Sequence, residues 1–483
     1  MQQRRLDPSN SQYEKRGTGL YAKRGKNANV IGISLYPLSD RSYLKGIMFE
    51  ELRLERLVNY LKQSFEGFFD VRRGQNTQYD MVDAGMGAFS VFFTQSPSFL
   101  AYQEDLKRRT GHCNAESLFG MAQVPSDNQI RSLLDPVAPS YVSAVFREVY
   151  HRLERNGVLK GFRSHAHSLL VAIDGTQYFS SQKIHCDQCS CRELNNGTLN
   201  YFHSVLTPVI VQSENERVIA LEPEYITPQD GKEKQDCEIE AGKRWVDKYG
   251  DFYAQQGVTI LGDDLFSRQP YCQKLKDKQL HFILVCKPDS HPALYEMVDF
   301  LAANQVLATD QKRLWNGNYG EIYTYRYANQ LPLRGDQDTI IVNWCELTIT
   351  REDTGQLLYK NAFITDFELL ETTVEAIVRD GRTRWKVENE NNNVLKTKGY
   401  HLEHNFGHGS QYLSSLLLSL NLLVFLFHTV LDLVDERYRM IRQALRSRQK
   451  FFQHIEALLC YLQFASWDDL LSFMCKGLEL DTG

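Results

Sequence analysis

Apolar residues between positions 46 and 160 recur at intervals of three and four, which is the spacing of an amphipathic helix. In the stretch FEELRLERLVNYLKQSF, this spacing puts Leu52, Leu57 and Leu61 on one face. The stretch PSYVSAVFREVYHRLERNGVL has the same rhythm. The pattern therefore predicts an all-helical segment over residues 46–160.

A pair of short helices is predicted inside this segment. The stretch AESLFGMAQVPSDNQIRSLLD suggests a helix, a turn at Gly120, and a second helix capped by Ser126 or Asp127. Helix-turn-helix DNA-binding units have this outline, and so do many helical bundles. We predict a helical DNA-binding domain at 46–160, with plain bundle packing as the alternative.

Short apolar runs typical of buried strands follow residue 160. They are SLLVAID (168–174), LNYFHSVLTPVIVQ (199–212), RVIALEPEYI (217–226), VTILGDD (258–264) and HFILVCK (281–287). Helices are predicted at about 236–256 and near Tyr271. Strands interleaved with helices in this way predict a mixed sheet covered by helices.

The rest of the chain is first β-rich and then helical. Residues 306–367 predict a separate antiparallel insertion, and helices return from residue 368 to the C-terminus. We therefore predict a mixed α/β fold with five parts: a flexible basic arm (1–45), a helical domain (46–160), a first core part (161–305), a β-rich insertion (306–367) and a second core part with C-terminal helices (368–483).

The longest apolar stretch, residues 413–434, contains Ser414, Ser419 and Asn421 and ends with His428 and Asp432. It is too polar for a typical membrane span, so we predict a buried helix and no membrane partner. The ten cysteines are scattered, and no apolar leader follows Met1. Both features favour a reducing cytosol.

Charge is distributed unevenly along the chain, although the formal net charge is only −5. Basic residues are concentrated in the arm and in the stretch RYRMIRQALRSRQK, which we expect to be one helix. That stretch contains Arg437, Arg439, Arg442, Arg446, Arg448 and Lys450. Such patches can track nucleic-acid phosphates, or they can be a solvated tail and a solvated helix face.

Two of the predicted strands end on aspartate. Asp174 follows the run Leu169–Ile173, and Asp263 and Asp264 follow VTILG. If the two strands are neighbours, Asp174 and Asp263 lie side by side, beyond the carboxyl ends of the strands where ligands collect. Carboxylates in that position repel unless a divalent cation lies between them, and oxygen ligands suit Mg²⁺ or Mn²⁺.

A third acid is expected from the stretch RTRWKVENENNNVLKTKGY. Glu388 follows Arg384 by one helical turn, so both lie on one face. Glu390 is the competing acid, but on an ideal helix it lies about 200° round and is expected to face solvent. The run Asn389–Asn393 is unusually polar for a packing helix.

The order Asp, Asp, Glu, with a β-rich insertion before the last acid, resembles the DDE transposases of bacterial insertion sequences. ILGDDLFSRQP is similar to a strand-end motif of insertion sequence family four, in which Asp263 would be the acid and Phe266 the aromatic. The last motif of that family is Y-x2-R-x3-E-x6-K. Arg384 and Glu388 fit it, whereas Gly381 and Leu395 replace the tyrosine and the lysine.

The resemblance implies an RNase H-like catalytic core and a DNA transposase, an endonuclease that also transfers strands. Two Mg²⁺ or Mn²⁺ ions would be held by Asp174, Asp263 and Glu388, with Asp174 between them. Phosphate contacts would come from Arg384 and from Lys396 or Lys398, near the lysine position. Arg439, Arg442 and Arg446 would contact the DNA backbone.

The same resemblance implies double-stranded DNA partners, namely the element ends and the target, and a dimer when assembled on DNA. It also implies a bacterial cytoplasmic protein associated with the nucleoid. Two other interpretations remain open: a catalytically decayed transposase that only binds DNA, and an RNase H-fold nuclease without strand transfer. The substitutions at Gly381 and Leu395 are what keep decay open.

A separate signal lies in HCDQCSC, which contains Cys186, Cys189 and Cys191. Thiolates at this spacing can share a tetrahedral zinc ion, with His185 or His203 as the fourth ligand. Free thiols in a reducing cytosol are the alternative. Such a zinc would be structural, folding the link between the first two strands.

Overall fold

Helices form the first part of the chain in the computed structural model, which describes residues 49–73, 78–96, 114–228 and 237–481. The predicted basic arm, residues 1–45, lies outside the described residues. The first helices are α1 Leu54–Glu66, α2 Met81–Phe93, α3 Asn114–Phe119, α4 Asp127–Leu134 and α5 Ser140–Arg155, with 3-10 turns at Glu50–Leu52 and Val158–Phe162.

The helix boundaries follow the signals in the sequence. The Ser126 side chain accepts a hydrogen bond from the Gln129 backbone, and the Gln129 side chain accepts one from the Ser126 backbone. This capping box begins α4. Gly120, at φ +59°, ends α3 in a conformation that glycine adopts without strain. Leu57 and Leu61 are buried on the apolar face of α1, as predicted.

Thirteen strands follow among the described residues. They are β1 Leu169–Ala172, β2 Gly175–Ser181, β3 Ser190–Glu193, β4 Leu199–Leu206, β5 Val209–Gln212, β6 Asn215–Ala220, β7 Glu224–Ile226, β8 Val258–Gly262, β9 His281–Val285, β10 Ala308–Trp315, β11 Gly320–Pro332, β12 Ile341–Arg351 and β13 Leu357–Thr365. Between them lie α6 Glu238–Gln255, α7 Gln269–Asp277 and α8 Pro292–Ala303, with 3-10 turns at His165–His167 and Pro288–Ser290.

The large sheet has nine strands in the order β10-β11-β12-β13-β9-β8-β1-β5-β6. In its core, β5 is antiparallel to β1 and to β6, whereas β8 runs parallel to both β1 and β9. This succession, β6-β5-β1-β8-β9, is the arrangement of an RNase H-like core. The predicted fold class, a mixed α/β fold with such a core, is confirmed.

Two predicted strands are each split by a proline. Residues 199–212 become β4 and β5, separated at Pro208, and residues 217–226 become β6 and β7, separated at Pro223. Proline has no N–H to donate to a ladder, so each run leaves one sheet and enters the other. The second sheet has the order β2-β4-β3, with β7 also paired to β4.

The strands β10–β13 are antiparallel, as predicted, but they do not form a separate sheet. β13 pairs with β9 through Phe363 opposite Val285 and Thr365 opposite Ile283, which extends the large sheet. The residues at this junction are buried, so pairing β13 with β9 covers an apolar edge of the core.

The C-terminal part begins with α9 Val374–Arg382 and a π-helical turn at Val387–Asn392 that runs into α10 Asn393–Thr397. Then come α11 Leu413–Val434, α12 Glu436–Leu445, α13 Arg448–Tyr461 and α14 Trp467–Gly477. Among the described residues, α11 is the one helix long and apolar enough to cross a membrane, and 83% of its most apolar window is buried inside the protein. It is a core helix, as predicted, and Phe427 packs edge-on against Phe89 of α2.

Candidate active site

Asp174 and Asp263 follow the carboxyl ends of two neighbouring strands of the large sheet. Their strands, β1 and β8, are adjacent and parallel, with Ala172 opposite Leu261. The Ile173 backbone N–H donates to the Leu261 carbonyl across 2.9 Å and extends the pairing to the residue before Asp174. The two strands are therefore neighbours, as predicted.

The Asp174 carboxyl is largely buried among other carboxylates. Burial raises its pKa most, and the charges of Glu388 and Glu238 add to the shift, so the pKa rises to about 7. Asp263 contributes in the same direction, and Arg384 opposes it. We call Asp174, Asp263, Glu238 and Glu388 the carboxylate cluster.

Glu388 lies in the π-helical turn, with its side chain about half exposed. Its carboxylate forms an ion pair with Arg384, with 2.8 Å between Oε1 and Nη1. The sequence predicts that Arg384 and Glu388 share one helix face, but neither their ion pair nor the π-helical geometry. Since Arg384 also lowers the pKa of Asp174, its charge acts on two members of the cluster.

Glu390 is not part of the carboxylate cluster. The prediction that it faces solvent is wrong. Glu390 is half-buried, and burial and the charge of Glu216 raise its pKa, against the charge of Lys386. This face of the helix is covered because Lys386 donates hydrogen bonds to the carbonyls of Gln212, Ser213 and Asn215 in the β5–β6 hairpin.

Asn392 is a site residue that sequence reasoning missed. Its Nδ2 donates to Asp174 Oδ2 across 3.1 Å, and its Oδ1 accepts from the Thr207 hydroxyl across 2.9 Å. The side chain is buried and thus held from both ends. The unusual polarity of residues 389–393 was the signal that could have found it.

Glu238 was also missed, because the first residue of a helix carries no signal for a distant strand end. Burial and then the charge of Asp263 raise the pKa of Glu238, while a hydrogen bond from the Gly175 backbone lowers it. A Cβ on Gly175 would lie 2.3 Å from the Glu238 carboxyl carbon. The Asp-Gly pair at the end of β1 therefore makes room for a second carboxylate.

Asp264, the residue next to Asp263, has a structural role. Asp264 accepts hydrogen bonds from the Lys287 backbone across 2.7 Å and from the Ser290 hydroxyl, and so holds the turn after β9. Asp263 accepts a bond from the Leu265 backbone across 2.9 Å. Phe266 is fully buried.

Both departures from the resembled motif lie in packed positions. A Cβ on Gly381 would lie 2.8 Å from Ile283 Cγ2 and 2.9 Å from the Phe363 ring, so α9 touches the sheet here. Leu395 is fully buried. Of the nearby lysines, Lys396 forms an ion pair with Glu403 at 3.1 Å, and Lys398 is exposed just after α10.

The sequence predicted one helix over the arginine-rich stretch, and this prediction is wrong. The stretch breaks at Arg446, which has φ +58°, into α12 and α13. Arg439 donates to the Leu433 carbonyl across 3.1 Å. Arg442 lies over the Phe451 ring at 5.5 Å, and burial lowers its pKa. Arg446 is exposed, so its predicted DNA contact is the one least restricted by protein contacts.

Cysteine and histidine side chains meet at a second place. Cys186, Cys189, His203 and His408 each bring one ligand atom to within 4.8 Å of all the others. We call these four residues the Cys/His cluster. Cys191, predicted as a ligand, is not in it, because it lies on β3 opposite Tyr201. His185 is not in it either, because its ring stacks on Tyr201 at 4.4 Å.

Comparisons with known proteins give little beyond this geometry. No family model matches the chain, and no curated protein does. A similar solved structure is the cryo-electron microscopy structure of a piggyBac transposase synaptic complex with hairpin DNA. It is 10% identical, the match covers 91% of this chain and 82% of that one, and the TM-score is 0.35. A likeness at this level carries no information on the reaction or ligand of this chain.

Proposed function

We propose that this protein is a DDE-type DNA transposase, which cleaves DNA at the ends of a mobile element and transfers the strands into target DNA. The observation that carries the proposal is the carboxylate cluster beyond adjacent parallel strands of an RNase H-like core. Burial and neighbouring negative charges raise the pKa of Asp174 to about 7. The arrangement is therefore unfavourable without a compensating cation.

The donor set fits Mg²⁺ or Mn²⁺. Carboxylate oxygens are the ligands these ions prefer, and a half-exposed Glu388 beside two partly buried aspartates leaves access for a phosphodiester. Asp174, Asp263 and Glu388 would hold two such ions. When bound, they would activate the attacking hydroxyl group or water and stabilise the leaving oxygen in an in-line displacement.

Residues of the chain would orient the acids and the DNA. Asn392 holds one oxygen of Asp174 and leaves the other for a ligand. Arg384 is paired with Glu388 in this structure, and its planar guanidinium suits a DNA phosphate once cations neutralise the acids. Lys398 and Arg446 are exposed and available for backbone phosphates, the electrostatic part of double-stranded DNA binding.

The main alternative is a catalytically decayed, DNA-binding relative. This alternative rests on two departures from the resembled motif, glycine in place of tyrosine at Gly381 and leucine in place of lysine at Leu395. Packing accounts for both residues, since Gly381 touches Phe363 and Leu395 is buried. Neither residue therefore argues for decay, and we favour an active enzyme. An RNase H-fold nuclease without strand transfer shares the same site.

The test is cleavage of DNA carrying the sequences that flank this gene, in Mg²⁺ or Mn²⁺, by the wild type and by Asp174→Asn, Asp263→Asn and Glu388→Gln. Glu390→Gln is the matched control, because that acid lies on the other face of the same turn. We expect a loss of at least about 10³-fold in the first three variants, since each removes a metal ligand. The control should cleave like the wild type.

Three outcomes separate the candidates. Cleavage followed by joining of the 3′-hydroxyl to a second duplex supports the transposase. Metal-dependent cleavage without joining indicates the nuclease. End-specific binding without cleavage, measured at a stated salt concentration, indicates the decayed protein. Undiminished cleavage in any two of the three cluster variants would contradict the assigned site.

A further inference from the structure

The four ligand atoms of the Cys/His cluster are separated by distances that suit a common metal ion. The two sulfur atoms of Cys186 and Cys189 lie 4.0 Å apart. His203 Nε2 lies 3.6 Å from Cys186 Sγ and 3.4 Å from Cys189 Sγ. His408 Nε2 lies 3.6 Å from Cys189 Sγ. A disulfide is excluded in this arrangement, because its sulfur atoms would be about 2.05 Å apart.

These separations match a tetrahedral zinc site. Zinc bonds of about 2.3 Å to sulfur and about 2.0–2.1 Å to nitrogen place two sulfurs about 3.8 Å apart, and sulfur and nitrogen about 3.6 Å apart. The sulfur–sulfur distance and the three sulfur–nitrogen distances given above lie within about 0.2 Å of these values, and the remaining pairs of ligand atoms lie within 4.8 Å. Two thiolates and two imidazoles are also a donor set that selects zinc over Mg²⁺ or Mn²⁺.

The site is closed, as structural zinc sites are. Cys189, His203 and His408 are each less than a tenth exposed, and Cys186 is partly buried. Phe179 packs on the His408 ring at 4.3 Å and Tyr178 stacks on His203 at 5.6 Å. Four protein ligands under aromatic cover leave no open position for a substrate.

The ligands come from three segments, two of them close in sequence and the third about 200 residues further along the chain. The cysteines lie on a tight turn between β2 and β3, where the Cys189 N–H donates to the Cys186 carbonyl across 3.1 Å, and His203 lies on β4. His408 comes from the loop between α10 and α11. A bound metal would therefore link the second sheet to the segment that follows the helix carrying Glu388.

We propose that Cys186, Cys189, His203 and His408 bind one structural Zn²⁺ ion. This site is distinct from the carboxylate cluster and holds the loop between α10 and α11 against the second sheet. It agrees with the sequence prediction in Cys186, Cys189 and His203, one of the two histidines offered there, and differs from it in having His408 in place of Cys191. The proposal does not depend on the DNA chemistry, because its test measures metal content.

The experiment measures zinc per chain by inductively coupled plasma mass spectrometry in full-length protein purified without a metal-affinity tag. We expect about one zinc per chain in the wild type. Cys189→Ser and His408→Ala should lose it. Cys191→Ser and His185→Ala are matched controls, close in sequence but outside the cluster, and should retain it.

Unstable ligand variants would not remove the test, because the wild type can be examined directly. Replacing the metal with Co²⁺ should give the intense visible bands of a tetrahedral site and a thiolate-to-cobalt charge-transfer band. Folded wild-type protein that binds neither Zn²⁺ nor Co²⁺ would overturn the proposal. So would a Cys191→Ser variant that loses zinc while His408→Ala keeps it.

Discussion

Asn392 donates a hydrogen bond to the carboxylate of Asp174 across 3.1 Å, joining a π-helical turn to the end of strand β1. The two residues are 218 positions apart. The bond fixes one carboxylate oxygen of Asp174, and the Thr207 hydroxyl fixes Asn392 in turn. Asn392 is therefore a positioning residue for the proposed metal ligand.

Replacing Asn392 by alanine should lower metal-dependent DNA cleavage about 10- to 100-fold, the usual effect of removing a partner of a metal ligand. The metal concentration for half-maximal cleavage should rise, whereas affinity for end DNA should not change. Asn393→Ala is the control, because Asn393 is exposed and its amide contacts Asn389. An Asn392→Ala enzyme with the cleavage rate and metal dependence of the wild type would refute this role.

Asp174 is expected to destabilise the fold while serving the site. Its charge is buried next to Glu388 and Glu238, so Asp174→Asn should stabilise the protein against urea at pH 8 without added divalent cations, on the order of 1–3 kcal/mol. Added Mn²⁺ should raise the melting temperature of the wild type and not that of the variant. A variant less stable than the wild type would show that Asp174 is compensated by groups of the protein.

The placement of Asp174 and Asp263 side by side could be predicted from the sequence for a simple physical reason. Apolar runs that end on Asp174 and Asp263 predict buried strands, and the acids of two parallel neighbours must emerge at one edge. Arg384 and Glu388 are one helical turn apart, which predicts that they share one face, where the structure shows them as an ion pair. These inferences need only local periodicity and the direction of a strand.

The parts that failed depend on contacts between distant segments. Nothing near Glu238 indicates that it will lie on Gly175, and nothing near His408 indicates two cysteines more than 200 residues earlier. The break at Pro208 could have been predicted from the sequence, since proline cannot continue a central strand. Which sheet each half of the run joins could not have been predicted.

Gly381 should be intolerant of a side chain. An added Cβ would lie under 3 Å from Ile283 and Phe363, so Gly381→Ala should cost about 1–3 kcal/mol, although alanine is the better helix former. Gly477→Ala, at the end of α14 with nothing within 4 Å, is the control and should be neutral or stabilising. Urea unfolding of both variants checks this, and equal stability would mean that α9 moves away from the sheet at little cost.

Arg147 of α5 should stabilise the protein through a buried ion pair. Its Nε donates across 3.0 Å to Glu222, a carboxylate that is almost fully buried and also accepts from the Tyr253 hydroxyl across 2.6 Å. Arg147→Ala leaves that charge without its cation and should cost about 3 kcal/mol. Arg155→Ala removes an ion pair to Glu51 in which both side chains are more than half exposed, and a longer one to Glu148 at 3.4 Å. Glu148 keeps its closer pair with Arg152 at 2.8 Å, so the change should cost less than about 1 kcal/mol. Similar losses in the two variants would contradict this distinction.

Asp135 ties the end of α4 to the start of α11. It accepts hydrogen bonds from the Ser410, Gln411 and Leu413 backbones at 3.0–3.3 Å and from the Ser410 hydroxyl at 2.8 Å. Burial alone would raise the pKa of Asp135, but the bonds from Gln411 and Ser410 outweigh it and lower the pKa. The ionised form is therefore the one that stabilises the folded protein.

This shift sets the sign of a pH dependence. Because the folded pKa lies below the unfolded value of about 3.9, the stabilisation is complete above about pH 4 and is lost as the pH falls through the folded pKa. Asp135→Asn should be about 1–3 kcal/mol less stable than the wild type at pH 7, and the difference should shrink below about pH 4. Asp289→Asn, an exposed carboxylate, is the control. Thermal unfolding between about pH 3 and pH 7 measures both, and a difference that grows towards acid would reverse the sign argued for Asp135.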